Sequence, residues 1–467
     1  MIRIYCDKNI FSNIKEGKRN FNSALKILMD ELRGKVLFTY SDAHHVDLSN
    51  SDKNYWHEDL ELMEYYVGEN YFVYNNAEKK TELLLAKPTQ TFHDYDYNVM
   101  KQVQQDPLSL FNSISDEDDE FGFVKIAKGF LDKILDMPVQ TFSGNSSENT
   151  EHQNEMLRKY LPNGENSTMR DVFNIGIGML SDPQQVIGMK KLMEEYISSD
   201  KYRFDIWKDD FNEKFKENFE GKSFTDLMET TFNAVPNYTE YDKFLIFFNS
   251  LDVHNITKDK RLRDTQSLSS THTDANHAWY ASYSDFLVTD DKGLQVKAYI
   301  TYKYFGIKTE ILSMKEFLNR KTTFLHQEET DLAKTFKLLN HEQTTGLVLR
   351  SHINNFLFHQ NIIKLSHHFF NYFNRLAVSD YDLILYCQRH KNANFVMYRE
   401  VELLTNKLIN FLGVDDKNIG QYRFSEENHN AEIIREWTFG KDHIVFGSAF
   451  NNNGKCLSLT IANKNNN

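Results

Sequence analysis

Over the first hundred residues, short apolar runs alternate with stretches whose apolar positions recur at helical spacing. IRIYC (2–6) reads as a strand that stops at Asp7. FNSALKILMDELRG (21–34) places apolar residues every three or four positions and ends on a glycine, a helix with a stop. KVLFTYS (35–41) reads as the second strand, and Ser41 is placed to cap a helix beginning at SDAHHVDLSN. YWHEDLELMEYYVG (55–68) is a further amphipathic helix and NYFVYN (70–75) a third strand. Strands alternating with helices predict βαβ units and a mainly parallel sheet.

The rhythm breaks at residue 98. Residues 98–236 read as a helical insertion, packed through the apolar faces of FVKIAKGFLDKIL, VIGMKKLMEEYI and FDIWKDDFNEKFKENF. The acidic run SDEDDE (115–120) and the polar SGNSSENTEHQNE (143–155) are expected to be solvated loops. After NYTEYDKFLIFFNSLD (237–252) the α/β pattern returns with a helix at 274–283, a strand Phe286–Val288, a helix KGLQVKAYITYKYFG (292–306) and a last strand in KTEILSM (308–314). The sheet domain is therefore expected to be discontinuous, 1–97 with 237–323. Residues 324–467 read as a C-terminal α+β domain. There ETDLAKTFKLLNHE and SHHFFNYFNRLAV are taken as helical, and REWTFGKDHIVFGSAF with KCLSLTIAN as a hairpin turning at NNNGK.

Composition narrows the function classes. With 40% hydrophobic and 14% aromatic residues, the 467-residue chain can bury substantial cores. A formal net charge of −13 argues against a protein that coats nucleic acid non-specifically. It does not exclude an enzyme acting on nucleic acid, because an acidic metal site counts as negative until the metal binds. Cys6, Cys387 and Cys456 are far apart and form no CxxC pair. No disulfide framework or zinc site is expected, and Cys6 is expected to be a small buried residue of the first strand. No secretory signal and no apolar run of the ~20 residues needed to span a bilayer is visible. The expectation is a cytoplasmic protein without a membrane partner.

The candidate chemistry is positional. Asp7 follows the first strand, Asp42 and Asp47 follow the second, Asp274 opens the later helix, and Asp290 and Asp291 follow the strand Phe286–Val288. In an open parallel sheet, functional residues gather at the carboxyl ends of the strands. Carboxylates brought together there repel one another and raise each other's pKa unless a cation neutralises them. Oxygen ligands favour Mg²⁺ or Mn²⁺, and two such ions about 4 Å apart can activate water and stabilise the leaving oxygen of a phosphodiester.

At these residues the chain resembles the PIN-domain nucleases. IYCDKNIFSNI is similar to their opening, a strand, an Asp and an Asn two residues on. FTYSDAHHVDLSNS resembles their second element, DANHAWYASYSDFLVTDDKGLQVKA their closing signature, and GIKTEILSMKEFL their last strand and helix. The resemblance covers two blocks, and the long insertion between the second and third acidic residues departs from the much shorter standalone members. The resemblance implies a PIN-like fold and a metal-dependent endoribonuclease acting on single-stranded RNA, with a 5′-phosphate product. It implies catalytic metal ligands at Asp7, Asp47, Asp274 and Asp291. Thr289 and Asn9 would support them by hydrogen bonding, and Asp290 would be a neighbour in the variable position. A role as a toxin or antiphage-defence effector follows as an expectation from the fold.

Several readings stay open. Asp42 rivals Asp47 as the second acidic ligand. Of His44 and His45, one is expected to be buried and one exposed, and His277 is expected to pack beneath the sheet. The basic segments TKDKRLR (257–263) and KAYITYKYFGIK (297–308) are phosphate guides or solvated faces. YYVGENYFVYNN and HHFFNYFNRL read as core more readily than as base-stacking platforms. A PIN-like scaffold without catalysis and a DNA nuclease are the alternatives. A regulatory protein or a second copy of the chain is the further partner left open.

Overall fold

The computed structural model describes residues 1–94, 210–216, 221–234, 238–253, 268–325, 331–353, 359–423, 432–451 and 453–463, with single positions at 136, 167, 168, 170, 171 and 426. The segments at 123–135 and 186–197, the acidic run 115–120, the polar stretch 143–155 and the basic segment 257–263 lie outside the described residues.

Strand β1 (Arg3–Cys6) is followed by helices α1 (Lys8–Asn13) and α2 (Ser23–Leu32), strand β2 (Leu37–Ser41), helices α3 (Asp42–Ser49) and α4 (Trp56–Val67), and strand β3 (Asn70–Asn75). A short hairpin then gives β4 (Lys80–Leu85), and α5 (Pro88–Asp94) follows. The chain continues through α6 (Phe211–Lys216), α7 (Phe224–Ala234), α8 (Glu240–Val253) and α9 (Leu268–Ala281). It returns to the sheet at β5 (Phe286–Val288), passes through α10 (Lys292–Phe305) and ends with β6 (Glu310–Leu312), α11 (Met314–Asn319) and α12 (Lys321–Leu325).

The six strands form one sheet in the order β4-β3-β2-β1-β5-β6. Every pairing is parallel except β3 with β4. Every residue of β1, β2 and β5 is buried, the pattern of strands covered on both faces. Alternation sorts their side chains. Ile4, Cys6 and Val288 face a layer built from α2, α4, α11 and α12, while Tyr5 and Leu287 face α8, α9 and α10. Helix α10 stops at Gly306, whose φ of 66° is left-handed and favours glycine although the space around it is open.

Two elements differ from expectation in this half. Helix α9 begins at Leu268, not at 274, so Asp274 lies inside the helix rather than opening it. The polar LSSTHT stretch extends it because, once the packed turns at Ala275–Ala281 exist, each added residue gains a hydrogen bond without a new nucleus. Strand β4 was not anticipated. None of its residues is buried, and it is held by pairing to β3 together with the packing of Leu83 against the cores.

The C-terminal region holds α13 (Leu332–Thr345), β7 (Leu347–Ile353), β8 (His359–Phe369), β9 (Phe373–Val378), β10 (Asp382–Tyr386), α14 (Tyr398–Leu412), β11 (Arg435–Phe439), β12 (Asp442–Asn451) and β13 (Gly454–Asn463). The seven strands form an antiparallel sheet, β11-β12-β13-β10-β9-β8-β7. The 366–378 segment is not a helix. It is the end of β8, a tight turn in which Phe370 and Asn371 take φ of 53° and 55°, and β9. A run this dense in aromatics suits a pleated surface, and Asn tolerates the left-handed turn position. Val401, Leu404 and Leu408 of α14 pack with Leu376, Leu385 and Trp437 of the sheet.

The two sheets are joined by buried charge. Arg3 of β1 donates from Nε and Nη2 to both carboxylate oxygens of Glu400 on α14, at 2.9 and 2.8 Å. Arg389 approaches the same carboxylate at 3.1 Å and Asp285, just before β5, at 2.9 Å. Burial pushes the Glu400 carboxyl up, but the surrounding positive charges, Arg3 foremost, outweigh it and hold it well below the ordinary carboxylate range. With a folded pKa below the unfolded one, this stabilisation is complete above the ordinary Glu range and is lost as pH falls through it toward the folded value. Glu400→Ala, which strands two buried guanidinium groups, is expected to cost about 3–5 kcal/mol of stability, measured by denaturant unfolding.

Candidate metal centre

The carboxyl edge of the parallel sheet carries the acidic residues. Asp7 leaves β1 and caps α1. Its carboxylate accepts from the Asn9 backbone amide at 3.3 Å, from Asn9 Nδ2 at 3.2 Å and from Thr289 Oγ1 at 2.9 Å. Thr289, directly after β5, is fully buried and its hydroxyl also accepts the Asp291 amide at 3.1 Å. Asp7 is buried, and that burial is the main force raising its pKa. His277 opposes the rise, nearby Asp47 adds to it, and Thr289 and Asn9 lower it.

Asp47 projects from the last part of α3, which starts at the Ser41 cap after β2 and packs against β2 and α9. Its Oδ2 accepts from His277 Nε2 at 3.0 Å, and Lys8 Nζ donates to its backbone carbonyl at 2.8 Å. Burial acts to raise the Asp47 pKa, but the His277 bond and charge and Lys8 outweigh it, so the carboxyl sits below its usual value. His277 shows the converse. Burial lowers its pKa, yet Asp47, Asp7 and Asp274 together raise it above the ordinary imidazole value. Donor atoms of Asp7, Asp47 and His277 all lie within 4.8 Å of one another.

A hydrogen-bonded chain runs behind the centre. His277 Nδ1 lies 2.8 Å from the Tyr5 hydroxyl, which lies 2.6 Å from Ser41 Oγ. His44 Nε2 is 2.8 Å from the Cys6 carbonyl and must carry the proton there, so its Nδ1 accepts the Ser41 amide at 3.2 Å. Burial pushes His44 down to about 3, so it is neutral near pH 7.

The remaining sequence-derived candidates have other partners. Asp274 is half-buried, with its Oδ2 3.4 Å from Lys297 Nζ, and reaches the centre through its field on His277. Asp291 is exposed and caps α10, accepting the Leu294 amide at 2.9 Å. Asp290 is also exposed and accepts the Met314 amide at 2.8 Å, at the start of α11. Asp42 is held by the Tyr71 hydroxyl, not by the cluster.

Both His44 and His45 are buried, so the expected split into one buried and one exposed does not hold. Two consecutive helical residues can both be buried where a helix is covered on two sides, and α3 lies against β2, α4 and α9. Nor does His277 merely pack beneath the sheet. It lies one turn from Asp274 on the same helix and faces Asp47. Its spacing from Asp274 was the available signal. Tyr5 and Lys8 were not anticipated. A buried tyrosine in a strand needs a partner for its hydroxyl, the one clue to Tyr5.

Burial pushes Asp42 up to about 6, against the opposing Tyr71 hydrogen bond. A carboxyl raised in the folded state lowers stability as pH climbs from its unfolded pKa through the folded one. Asp42→Asn should therefore be more stable than the parent near about pH 8, by about 1–3 kcal/mol, and no more stable near about pH 4. Thermal unfolding at both pH values measures this, and a destabilised variant at the higher pH would sink it. Comparison with protein-family models, with curated proteins and with solved structures finds no match.

Proposed function

We propose that the chain is a PIN-like, divalent-metal-dependent nuclease that hydrolyses single-stranded RNA. The observation that carries this reading is the convergence of Asp7, Asp47 and His277, from three distant parts of the chain, at the carboxyl edge of a parallel sheet. The donor set fits a hard cation. Two carboxylates reach one another's vicinity in a buried site, and Asp7 receives only neutral donors directly. Asp7 and Asp47 would hold Mg²⁺ or Mn²⁺, with His277 orienting Asp47 through Nε2 and Tyr5 holding the ring through Nδ1. A bound ion supplies Lewis acidity toward a phosphoryl oxygen and acidifies its water.

The chain's own residues set the geometry for that chemistry. Thr289 and Asn9 fix the Asp7 carboxylate. Lys8, half-buried beside Asp47 and Asp7, borders the acidic group, and its ammonium group suits a non-bridging oxygen of a phosphodiester. A second ion would need Asp274 and Asp291 to leave Lys297 and the α10 cap, so the reading commits to one ion at Asp7 and Asp47.

The test is cleavage of labelled single-stranded RNA and DNA with Mg²⁺, Mn²⁺ or EDTA, beside Mn²⁺ calorimetry. Asp7→Asn and Asp47→Asn are expected to abolish both cleavage and Mn²⁺ binding, and Thr289→Val to lower activity about 10–100-fold. Mn²⁺ binding that survives both Asp variants would defeat the assignment. DNA cut in preference to RNA would move the substrate class. Metal binding without cleavage would favour the scaffold reading.

Asp291→Ala separates a ligand from a cap. It is expected to leave Mn²⁺ affinity intact and to cost about 1 kcal/mol of stability through the lost cap. A loss of Mn²⁺ binding with unchanged stability would return Asp291 to the ligand set.

A further inference from the structure

At the opposite edge of the parallel sheet, a cleft opens between the starts of β5 and β6 and the strands β8 and β9. It offers about 510 Å³ of cavity and is partly open to solvent. The register of β8 against β9 shifts between Lys364 and Phe369, and Leu365–His368 of that irregular stretch line the cleft.

The charge of this cleft runs against the charge of the chain. Five Lys and Arg residues line it against two carboxylates. Both carboxylates are already engaged. Arg320 takes Glu310 with both terminal nitrogens, and Arg389 takes Asp285. Among the described residues, no carboxylate pairs with Lys308, Lys364 or Arg375. Arg375 is half-buried, its Nη1 donates only to the Asn374 carbonyl at 2.8 Å, and its Nε is buried without a partner. His390 Nε2, also on the cleft wall, is buried without a partner. A desolvated guanidinium without a counter-charge is costly, and three cations on one concave surface repel one another. Lys308 and Lys364 are exposed on the cleft wall, so the group that an anion's acceptor oxygens would answer is the unpartnered Arg375 guanidinium. The planar fork of Arg matches a phosphate, and the lysines add point charge.

We propose that this cleft binds a phosphate-bearing small molecule of nucleotide size, its phosphate seated on Arg375, Lys364 and Lys308. The site is separate from the acidic centre, and the proposal holds whether or not that centre cuts nucleic acid. The phosphate supplies the missing counter-charge, and the volume of the cleft accommodates the rest of the molecule.

Calorimetry on the full chain with inorganic phosphate, pyrophosphate, AMP and ATP tests this. One nucleotide per chain is expected, bound more tightly than inorganic phosphate. Arg375→Met and Lys364→Met are each expected to weaken it at least about tenfold. Asp7→Asn should bind like the parent. Thermal unfolding supplies the control for folding. Arg375→Met removes an uncompensated charge and keeps its stem, so its midpoint without ligand should be no lower than the parent's, while nucleotide raises the parent's midpoint and not the variant's.

No binding of any of the four ligands would overturn the proposal. So would nucleotide affinity unchanged in Arg375→Met, or lost in Asp7→Asn, which would place the phosphate at the acidic centre. A 5′-phosphorylated oligonucleotide bound through Arg375 far more tightly than any nucleotide would overturn the small-molecule assignment in favour of a nucleic-acid strand.

Discussion

Strand β1 has a cation at its first residue and an anion just past its last, and both are largely shielded from water. Arg3 is fully buried and Asp7 is 3% exposed. A charge taken out of water must be answered by partners of opposite sign or by a full set of hydrogen bonds. The two ends of β1 meet this requirement differently. At Arg3 all five guanidinium N–H groups are placed, two on Glu400 and three on the carbonyls of Tyr283, Ala393 and Phe395. At Asp7 the direct partners are an amide, a side-chain amide and a hydroxyl. One end is chemically closed. The other retains a deficit of positive charge.

The closed end also explains why the C-terminal region is more than an appendage. Glu400, Ala393 and Phe395 belong to it, and Arg389 crosses to Asp285 of the parallel-sheet half. Asn371 adds a further tie, donating to the Lys35 and Phe324 carbonyls. Removing one partner of this network would leave a buried charge unanswered, which costs more than the intact pair contributes. The cleft beside this junction therefore has walls held by buried ion pairs. Arg389 is both a clamp residue and part of the cleft wall. Its charge is consumed by the clamp, which is why Arg375, one strand away, carries the unanswered charge.

Legibility in the sequence followed the range of the interactions involved. The strands β1, β2, β3 and β5 announce themselves as short runs dense in apolar and aromatic residues, and the helix stops at Gly68 and Gly306 are written as single residues. Asp7 and Asp47 were legible because a charged residue directly after a buried strand, or on the helix that follows one, has few places to point. Asp290 and Asp291 were not separable from ligands by the same reasoning. An acidic residue after a strand can cap the following helix, hold a cation or do both, and the structure adds that Asp290 and Asp291 are exposed and accept the Met314 and Leu294 amides. His277 was visible but misplaced, since its partner Asp47 lies 230 residues away in sequence. The aromatic run before Leu376 is apolar at helical as well as strand spacing, so its period alone does not decide, and the strand preference of aromatics is the signal that points to β8 and β9.

Asp7 is itself a helix cap, so the cap geometry alone cannot make it a ligand. What distinguishes it is the accounting of charge. Asp47 and Asp7 share a single nearby imidazole. Burial raises both carboxyls; Asp47 bonds the imidazole directly and, with Lys8, ends with its pKa lowered, while Asp7 feels the imidazole only through space and burial leaves its pKa raised. Asp290 and Asp291 face no such competition, because as exposed caps they have water and a helix N-terminus to answer them. The same residue type in the same local motif thus serves two ends. Where solvent reaches the carboxylate, the cap is sufficient. Where it does not, added positive charge has the most to gain, and in this fold that place is the carboxyl end of β1.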